Sequence, residues 1–309
     1  MGAAEYVIET HGLTKRFGTR TVVKDVELRV PRGVAFGYLG PNGAGKTTLI
    51  RMLLGLTTAN SGTMTIRGLP VPKQRAEALS RVGAIVDEPR FHGHLTGREN
   101  LGIVAAARGR ESFGRIQSAI DRVGLGHRAD DRVRAYSMGM RQRLGIARCL
   151  LSDPELLILD EPMNGLDPAG IQEFRAMIRG LVEEGRTVFL SSHLLDEVEK
   201  TCDFVAIVDR GEIVAQGPLD EVRGDEQPRV LIGVDQLDTA RQLLERIAGV
   251  VKVRVEDGLL QLALADLDLI PELNRQLVGA GLAVRRLEPL QASLEQRFLA
   301  ITSRLDDAT

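Results

Sequence analysis

The stretch VAFGYLGPNGAGKTTLIRMLLGL (34–56) decides the fold of this chain. Residues 34–40 have the pattern of a short apolar strand that enters a glycine-rich loop, and residues 46–56 have the apolar periodicity of a helix. Between them, GPNGAGKTT (40–48) matches the pattern G-x-x-x-x-G-K-[ST]. The alternative is a chance glycine-rich turn, but the flanking strand and helix are the context that the pattern requires. The sequence therefore predicts a phosphate-binding loop.

Each residue type in this loop has a chemical reason. Glycines let the backbone curl so that several N–H groups face one anion, and a helix that begins near Lys46 adds the positive end of its dipole. Lys46 is expected to reach the β- and γ-phosphates, and the hydroxyl of Thr47 to bind Mg²⁺. The loop residues expected to hold the nucleotide are Gly40, Pro41, Asn42, Gly43, Ala44, Gly45, Lys46, Thr47 and Thr48.

A second motif, LLILDEP (156–162), is a run of four apolar residues that ends in two acids. A buried strand at this point would bring Asp160 to a position where it holds the hydration shell of Mg²⁺. Glu161, one residue further on, could polarise a water for attack on the γ-phosphate. An acid pair after a strand usually marks only the end of that strand and has no chemical role. Because the same chain carries a phosphate loop, we favour the chemical role for Asp160 and Glu161.

Length and charge limit the remaining functions. A chain of 309 residues suits two domains better than one. The net charge is −2 and there is no Trp, so no nucleic acid partner is expected. The N-terminal MGAAEYVIET has no basic segment followed by an apolar stretch, and no signal peptide is expected. Cys149 and Cys202 fit no metal or redox spacing and are expected to be core thiols.

The first 220 residues alternate strand-like and helix-like patterns. Residues 21–30 alternate between polar and apolar and predict a half-buried strand. Apolar strands separated by helices imply a mostly parallel sheet covered on both faces. Further strands are predicted at 82–86, 156–159, 187–190 and 204–208, and helices at 98–107, 111–123, 138–151, 169–183 and 194–200.

The pattern changes at GDEQPRV (224–230), a polar stretch with a proline that predicts a linker. The remainder predicts a small α+β domain with the order β-α-β-β-α-β, which is the ferredoxin-like pattern. A last helix is predicted at 293–302. The elements of the small domain are expected at 229–234, 238–248, 250–255, 259–264, 267–280 and 283–287.

Several ordered motifs make residues 6–222 resemble the ATP-binding subunit of an ABC transporter. YSMGMRQRLGIARCLLSDPELLILDEPMNGLD (136–167) is similar to the family's signature, Walker B and D-loop segments, and LSSHLLDEVEK (190–200) to its switch segment. LTKRFG (13–18) is similar to the segment whose aromatic residue stacks on adenine. The resemblance implies an α/β P-loop NTPase cassette with a helical subdomain at about 90–152 and antiparallel N-terminal strands. It also implies hydrolysis of ATP with Mg²⁺.

The resemblance assigns roles to further residues. Phe17 would stack on adenine, and His193 would hydrogen-bond the γ-phosphate and the attacking water; a capping role at the start of helix 194–200 is the alternative for His193. Ser137 and Gly139 stand where the signature has its serine and second glycine, and they would act on ATP bound to a second copy. The implied assembly is a head-to-tail homodimer that sandwiches two ATP molecules.

The signature reads YSMGM, with Met138 at the first glycine of the commoner pattern and Met140 at its glutamine. Together with the C-terminal extension and the ending SLEQRFLAIT, this resembles bacterial ABC-2 type exporter ATPases of the bacitracin, lantibiotic and multidrug resistance group. Such a subunit is implied to work with a separate membrane permease that holds it at the cytoplasmic face of the membrane.

The segment VGAIVDEPRF (82–91) gains a role from the same resemblance. Counting back from Leu95 places Asp87 where family members commonly carry a glutamine that contacts Mg²⁺ and the attacking water. A carboxylate can bind Mg²⁺, although an ionised carboxylate cannot donate a hydrogen bond. Asp87 is therefore expected at the metal, and Glu88 at the surface.

Two alternatives come from other classes. A soluble ABC-type ATPase in translation or DNA repair would have no membrane partner, but such proteins usually carry two cassettes or a long coiled-coil insertion. A P-loop kinase or GTPase would have no use for a signature or a switch histidine. The expected organisation is a cassette at 1–223 and an accessory domain at 224–309, with a regulatory, dimerising or docking role left open.

Overall fold

The computed structural model describes residues 5–224 and 228–290, together with Leu294 and Phe298. The chain divides into two compact units, Met1–Leu219 and Asp220–Thr309. The helix predicted at 293–302 lies outside the described residues, apart from Leu294 and Phe298.

The described part of the first unit contains two β-sheets and a group of helices. Its strands are β1 (Tyr6–Phe17), β2 (Arg20–Pro31), β3 (Ala35–Leu39), β4 (Ser61–Ile66), β5 (Leu69–Val71), β6 (Val82–Ile85), β7 (Leu156–Leu159), β8 (Thr187–Ser192), β9 (Phe204–Asp209) and β10 (Glu212–Pro218). Its helices are α1 (Lys46–Leu53), α2 (Arg75–Ala78), α3 (Gly97–Arg108), α4 (Arg110–Gly114), α5 (Ile116–Arg122), α6 (Met138–Leu150), α7 (Pro168–Glu183) and α8 (Leu195–Glu199), and α9 (Leu219–Arg223) spans the boundary between the units.

The central sheet has the strand order β10-β9-β3-β8-β7-β6. All of its pairings are parallel except that of β9 with the edge strand β10, which confirms the predicted mostly parallel sheet. Every residue of β3 and of β7 is buried, as expected for strands covered on both faces. Parallel strands place their carboxyl ends at the same edge, so the loops after β3, β7 and β8 meet there.

The N-terminal strands form a separate antiparallel sheet with the order β2-β1-β4-β5, as the resemblance implied. Helix α1 packs between this sheet and the central one, because Leu49, Ile50 and Leu53 belong to the same buried cluster as Ile8 of β1 and Phe36 of β3. The position of the phosphate loop is therefore fixed from both sides.

Helices α3 to α6 lie between β6 and β7 in the chain and form the predicted helical subdomain. Helix α3 begins with a capping box between Thr96 and Glu99. The single helix predicted at 111–123 is wrong: α4 ends at Gly114 and α5 starts at Ile116. Glycine has a low helix propensity, and the hydroxyl of Ser112 donates to the Leu151 carbonyl, which fixes α4 separately.

The second unit has the predicted order β-α-β-β-α-β, with four antiparallel strands arranged β12-β13-β11-β14. Both helices contribute to one buried cluster with the strands. The predicted helix at 267–280 starts as a 3₁₀ turn, and its α-helical part begins only at Ile270, with a proline in the first turn. The elements are β11 (Arg229–Val234), α10 (Leu237–Leu244), β12 (Val250–Glu256), β13 (Leu259–Leu264), α11 (Ile270–Gly279) and β14 (Val284–Leu290).

In the described part of the chain, no helix is both long and apolar enough to span a bilayer. Cys149 and Cys202 are buried and free, which confirms the prediction of core thiols. Burial raises the pKa of the Cys149 thiol to about 11, so this thiol stays protonated and unreactive at neutral pH.

Glu155, the residue before β7, joins the two sheets of the first unit. Its carboxylate lies 3.0 Å from Nε of Arg67, in the turn between β4 and β5, and 2.9 Å from Nη1 of Arg81, just before β6. Nη1 of Arg32, just after β2, approaches the Glu155 carboxylate to 3.4 Å. Partial burial raises the pKa of Glu155, but the hydrogen bonds and charges of these arginines outweigh that effect and leave the pKa below its usual value.

We expect Glu155→Gln to lower the free energy of unfolding by about 1 kcal/mol at neutral pH, because a charged acceptor for three arginines is lost. The folded-state pKa of Glu155 is depressed, so its contribution is present above the ordinary value of 4.5 and is lost as the pH falls through the folded-state pKa. Urea unfolding of both proteins from neutral pH to below 4.5 checks this. The difference between wild type and variant should shrink in acid.

Glu183→Gln is the matched control, because Glu183 is exposed at the end of α7. This control should unfold like the wild type throughout. If Glu155→Gln lowered the free energy of unfolding by the same amount at every pH, this result would contradict the assignment of Glu155 as an ionised partner of the three arginines.

Candidate functional site

The candidate site lies at the carboxyl ends of β3, β7 and β8. Leu39 of β3 pairs with Ser192 of β8, and Leu159 of β7 pairs with Leu190 of β8. This register sets the residue after β7, Asp160, beside Ser191 in the next strand. The loop that follows β3 is the predicted phosphate loop, so both sequence motifs reach the same edge of the sheet.

Two glycines of the phosphate loop are required by close backbone contacts. A Cβ atom on Gly40 would lie 2.3 Å from the carbonyl oxygen of Val208. A Cβ atom on Gly45 would lie 2.4 Å from the carbonyl oxygen of Val22, and Gly45 has a φ of +97°. Helix α1 begins at the next residue, Lys46, and the first N–H groups of a helix have no acceptor within it. The loop and helix thus present backbone donors to an anion.

Lys46 is the cation of this loop and is only 6% exposed. Its Nζ donates to the carbonyl oxygens of Gly40 at 2.6 Å and Pro41 at 3.1 Å. Nζ also lies 3.1 Å from Oε1 of Glu161. The ammonium is therefore held at the mouth of the loop by partners that a phosphate oxygen can replace.

Asp160 is almost completely buried, and each of its carboxylate oxygens accepts one hydroxyl hydrogen bond. Oδ2 accepts from Oγ1 of Thr47 at 2.7 Å, and Oδ1 accepts from Oγ of Ser191 at 2.6 Å. The same Ser191 hydroxyl accepts from the backbone N–H of Glu161 at 2.9 Å. Ser191 was missed in the sequence analysis, and the only signal for it was its place two residues before His193 in the switch segment.

Thr47 and Asp160 together offer the hard oxygen donors that Mg²⁺ prefers. The hydroxyl and the carboxylate are already within hydrogen-bond distance of one another, and Ser191 fixes the second carboxylate oxygen. These residues fit a magnesium ion that is bound by few protein ligands and by the oxygens of a bound phosphate chain.

Glu161 has a positive φ of 45° and its carboxylate spans two partners. Oε1 faces Lys46, and Oε2 lies 2.9 Å from Nδ1 of His193. With Glu161 ionised, Nδ1 of His193 carries the proton and donates it to this hydrogen bond. The structure therefore brings together five predicted site residues, Lys46, Thr47, Asp160, Glu161 and His193.

Asp87 follows β6 with a positive φ of 58°. Its Oδ2 accepts from Nη2 of Arg51 at 2.9 Å, and Arg51 lies in the last turn of α1. Both side chains are largely exposed. Glu88 is exposed, as predicted. The structure thus ties Asp87 to the helix that begins at the phosphate loop, and its contact with a metal stays a prediction.

Phe17 ends β1, and its side chain is 54% exposed. The Lys15 ammonium lies 4.9 Å from the centre of the ring. Phe17 lines an open groove above the phosphate loop together with loop residues Asn42, Gly43, Gly45, Lys46, Thr47 and Thr48, and with Glu161. This position suits an aromatic surface for a base attached to the phosphates, as the resemblance implied.

Ser137 and Gly139 lie at the start of α6, in the helical subdomain. The Ser137 hydroxyl caps this helix by accepting from the N–H of Met140 at 3.2 Å. A Cβ atom on Gly139 would meet only Leu166, at an ordinary 3.6 Å. Packing within the described chain therefore does not require glycine at this position, unlike at Gly40 or Gly45.

Comparison with known proteins agrees with this geometry. The sequence profile of the ABC transporter family matches residues 23–164. An uncharacterized ABC transporter ATP-binding protein, YdbJ of Bacillus subtilis (strain 168), is 42% identical over 97% of this chain and 96% of its own length. The bacitracin transport ATP-binding protein BcrA of Enterococcus faecalis is 39% identical over 95% of this chain and 96% of its own length.

A solved structure of the ATP-binding subunit of an ABC transporter has the same fold. It superposes with a TM-score of 0.63 at 30% identity and covers 70% of this chain and 92% of its own length. The two relatives, by contrast, align over almost all of this chain, so they share most of its second unit as well.

We expect Ser191→Ala to lower nucleotide hydrolysis about tenfold to a hundredfold, because Asp160 and the backbone of Glu161 lose the hydroxyl that orients them. Nucleotide binding should stay within a few-fold of wild type, since the phosphate loop is intact. Steady-state hydrolysis and equilibrium binding of ADP check the two parts.

Thr187→Val is the matched control, because Thr187 lies on the same strand and its buried hydroxyl accepts from Gly33 N–H at 2.9 Å, at the other end of the sheet. Loss of hydrolysis in the control as large as in Ser191→Ala would mean that general destabilisation, and not the orientation of Asp160, causes the effect.

Proposed function

The chain belongs to the ABC transporter family of ATP-binding proteins, and on this premise we propose that it hydrolyses ATP to power an exporter with a separate membrane permease. The observation that carries the proposed chemistry is the carboxylate of Glu161, held between the ammonium of Lys46 and the imidazole of His193. The relative named as a bacitracin transport ATP-binding protein supports export of a drug or peptide antibiotic.

The phosphates of ATP bind where Lys46 and the first N–H groups of α1 meet. Thr47 and Asp160 would hold Mg²⁺, and the bound ion would supply neutralisation of charge on the phosphate oxygens. Phe17 stacks on the adenine, and residues 40–48 surround the phosphate chain. Asp160 stays oriented by Ser191 through the hydrogen bond at 2.6 Å.

Glu161 is the general base in this scheme. Its carboxylate accepts a proton from water as the water oxygen bonds to the γ-phosphorus, and the bond from that phosphorus to the bridging oxygen of ADP breaks. His193 holds Oε2 of Glu161, so the carboxylate has a defined direction. The products are ADP and inorganic phosphate.

A second copy of the chain completes the site. Ser137 and the N-terminus of α6 offer donors for the γ-phosphate, but they belong to the helical subdomain, where the Ser137 hydroxyl accepts from the N–H of Met140. A head-to-tail homodimer would let Ser137 and Gly139 of each copy act on the ATP bound by the other. Measuring the mass of the protein in solution with Mg²⁺ and ATP present tests this assembly.

The membrane partner is a separate permease of the ABC-2 type, which keeps the subunit at the cytoplasmic face of the membrane. Residues 1–223 form the cassette, and residues 224–309 an accessory domain with a regulatory, dimerising or docking role. Co-purification of the chain with a polytopic membrane protein from the same cells tests the partnership. Salt-sensitive binding to RNA or DNA in its place would favour the translation or repair alternative.

We expect Glu161→Gln to bind ATP and to stall hydrolysis by at least about a hundredfold, because the amide cannot accept the proton from water. With Mg²⁺–ATP the variant should accumulate as a dimer. Phosphate release and mass by light scattering measure the two effects. Glu183→Gln, at an exposed carboxylate on α7, should behave as wild type. Steady hydrolysis at the wild-type rate in Glu161→Gln would refute the assignment of the base.

We expect Asp87→Ala to lower Mg²⁺-dependent hydrolysis about tenfold and to raise the Mg²⁺ concentration needed for half-maximal rate, since a carboxylate near the metal is lost. Asp87→Gln should retain activity, although its longer side chain must adopt the positive φ of 58°. Glu88→Ala, one residue along and exposed, is the control. If the hydrolysis rate of Asp87→Ala depended on Mg²⁺ as the wild-type rate does, Asp87 would only follow the end of β6 and would have no role at the metal.

A further inference from the structure

Helix α7 carries two arginines, Arg175 and Arg179, one turn apart on the same face. Nη2 of Arg175 lies 2.6 Å from Oε2 of Glu197, in helix α8. Nη1 of Arg179 lies 2.5 Å from Oδ1 of Asp203, just before β9. Helix α8 directly follows the switch segment, and Glu197 comes four residues after His193.

The pair of Arg175 and Glu197 is the more enclosed of the two. The side chains are 24% and 17% exposed, against 39% and 35% for Arg179 and Asp203. Nε of Arg175 is buried without a hydrogen-bond partner in the described structure, and Nη2 of the same guanidinium makes the bond to the Glu197 carboxylate. Desolvated partners of this kind hold each other firmly, because separating them leaves a charge unpaired.

Helix α8 depends on such contacts for its position. It has five residues, which is far too few for a stable isolated helix. Its buried residue, Val198, packs into the space left by Gly37 of β3, where a Cβ atom would lie 2.4 Å from Cγ1 of the valine. Val198 thus anchors α8 to the central sheet, and Glu197 anchors it to α7.

The two anchors confine His193. On its N-terminal side, Ser192 belongs to β8, and its hydroxyl accepts from the N–H of Leu194 at 2.9 Å. On its C-terminal side, Glu197 is held by Arg175. The few residues between these fixed points have little freedom, so the imidazole stays where Nδ1 meets Glu161 at 2.9 Å.

We propose that Arg175 is a positioning residue for hydrolysis, which acts through Glu197 and α8 to hold His193 against the catalytic carboxylate. The inference rests on the proposed function, because it requires that His193 supports Glu161. Arg175 would thus affect the chemical step and not nucleotide binding, since the phosphate loop lies on other elements.

The test compares Arg175→Met, His193→Ala and the double variant in steady-state ATP hydrolysis, at a temperature where circular dichroism shows all of them folded. Methionine keeps most of the volume of arginine and removes its charge. We expect Arg175→Met to lower kcat about tenfold and to leave KM for ATP within about twofold. In the His193→Ala background the same change should have no further effect, because residues that act as one unit are not additive.

Arg179→Met is the matched control, because it removes an ion pair of the same kind from the same helix. Its kcat should stay within about twofold of wild type. Arg175→Lys should recover part of the lost kcat, since it restores a cation opposite Glu197.

The outcomes separate the inference from the proposed function. Absence of ATP hydrolysis by the wild type would overturn the proposed function and the inference with it, whereas an unchanged kcat in His193→Ala would overturn the inference and the role of His193 but not hydrolysis itself. A large effect of His193→Ala with no effect of Arg175→Met would overturn the inference alone. The inference would also fail if Arg175→Met lowered kcat as much in the His193→Ala background as in the wild type, or if Arg179→Met had an equal effect, because the role would then be general stabilisation.

Discussion

The carboxylate of Asp160 holds together the carboxyl ends of three parallel strands. It follows β7, its Oδ1 accepts from Ser191 of β8, and its Oδ2 accepts from Thr47, just after β3 and the phosphate loop. A carboxylate with only 4% exposure is costly to bury without such partners. The whole site therefore depends on the strand register that places Asp160 beside Ser191. The same serine also positions Glu161, because its hydroxyl accepts from the backbone N–H of Glu161.

The second constraint is electrostatic and concerns Lys46. Its ammonium faces two backbone carbonyls and the carboxylate of Glu161. A phosphate oxygen that binds Lys46 competes with Glu161 for the same cation. If Lys46 turned to a phosphate, Glu161 would keep His193 as its partner and would have a free oxygen for water. In the proposed scheme, this ion pair between Lys46 and Glu161 links occupancy of the phosphate loop to the state of the proposed base.

The sequence predicts those parts of the molecule that local patterns determine. The strands 156–159, 229–234 and 259–264 were located to the residue, because apolar or alternating runs end there in polar residues or turns. The helix predicted at 111–123 was wrong because one glycine and one hydroxyl outweighed its periodicity. The convergence of the predicted phosphate loop with Asp160 and Glu161 was predictable, because the chemistry expected for phosphate and Mg²⁺ selects residue types that are recognisable in the sequence.

The contacts that orient the site could not be predicted in this way. Ser191 binds Asp160 from 31 residues away, and Arg175 meets Glu197 across 22 residues, so no local pattern records either pair. Asp87 was assigned from its distance to Leu95, but its positive φ and its bond to Arg51 follow from the tertiary arrangement of β6 and α1. Sequence reasoning finds the groups proposed to touch a ligand more readily than the groups that hold them in place.

Contacts within one copy of the chain explain why some positions are glycine, but they do not explain every glycine. Gly37, Gly40 and Gly45 are glycines because Val198, Val208 and Val22 of the same chain fill the space that a side chain would need. Gly139 has no such neighbour, and Leu166 would tolerate a Cβ atom beside it. Glycine has a lower helix propensity than alanine, and packing within the described chain does not require it at the start of α6. Close approach of a nucleotide held by a second copy would give that open surface a purpose, and this is why the proposed dimer and the proposed chemistry depend on each other.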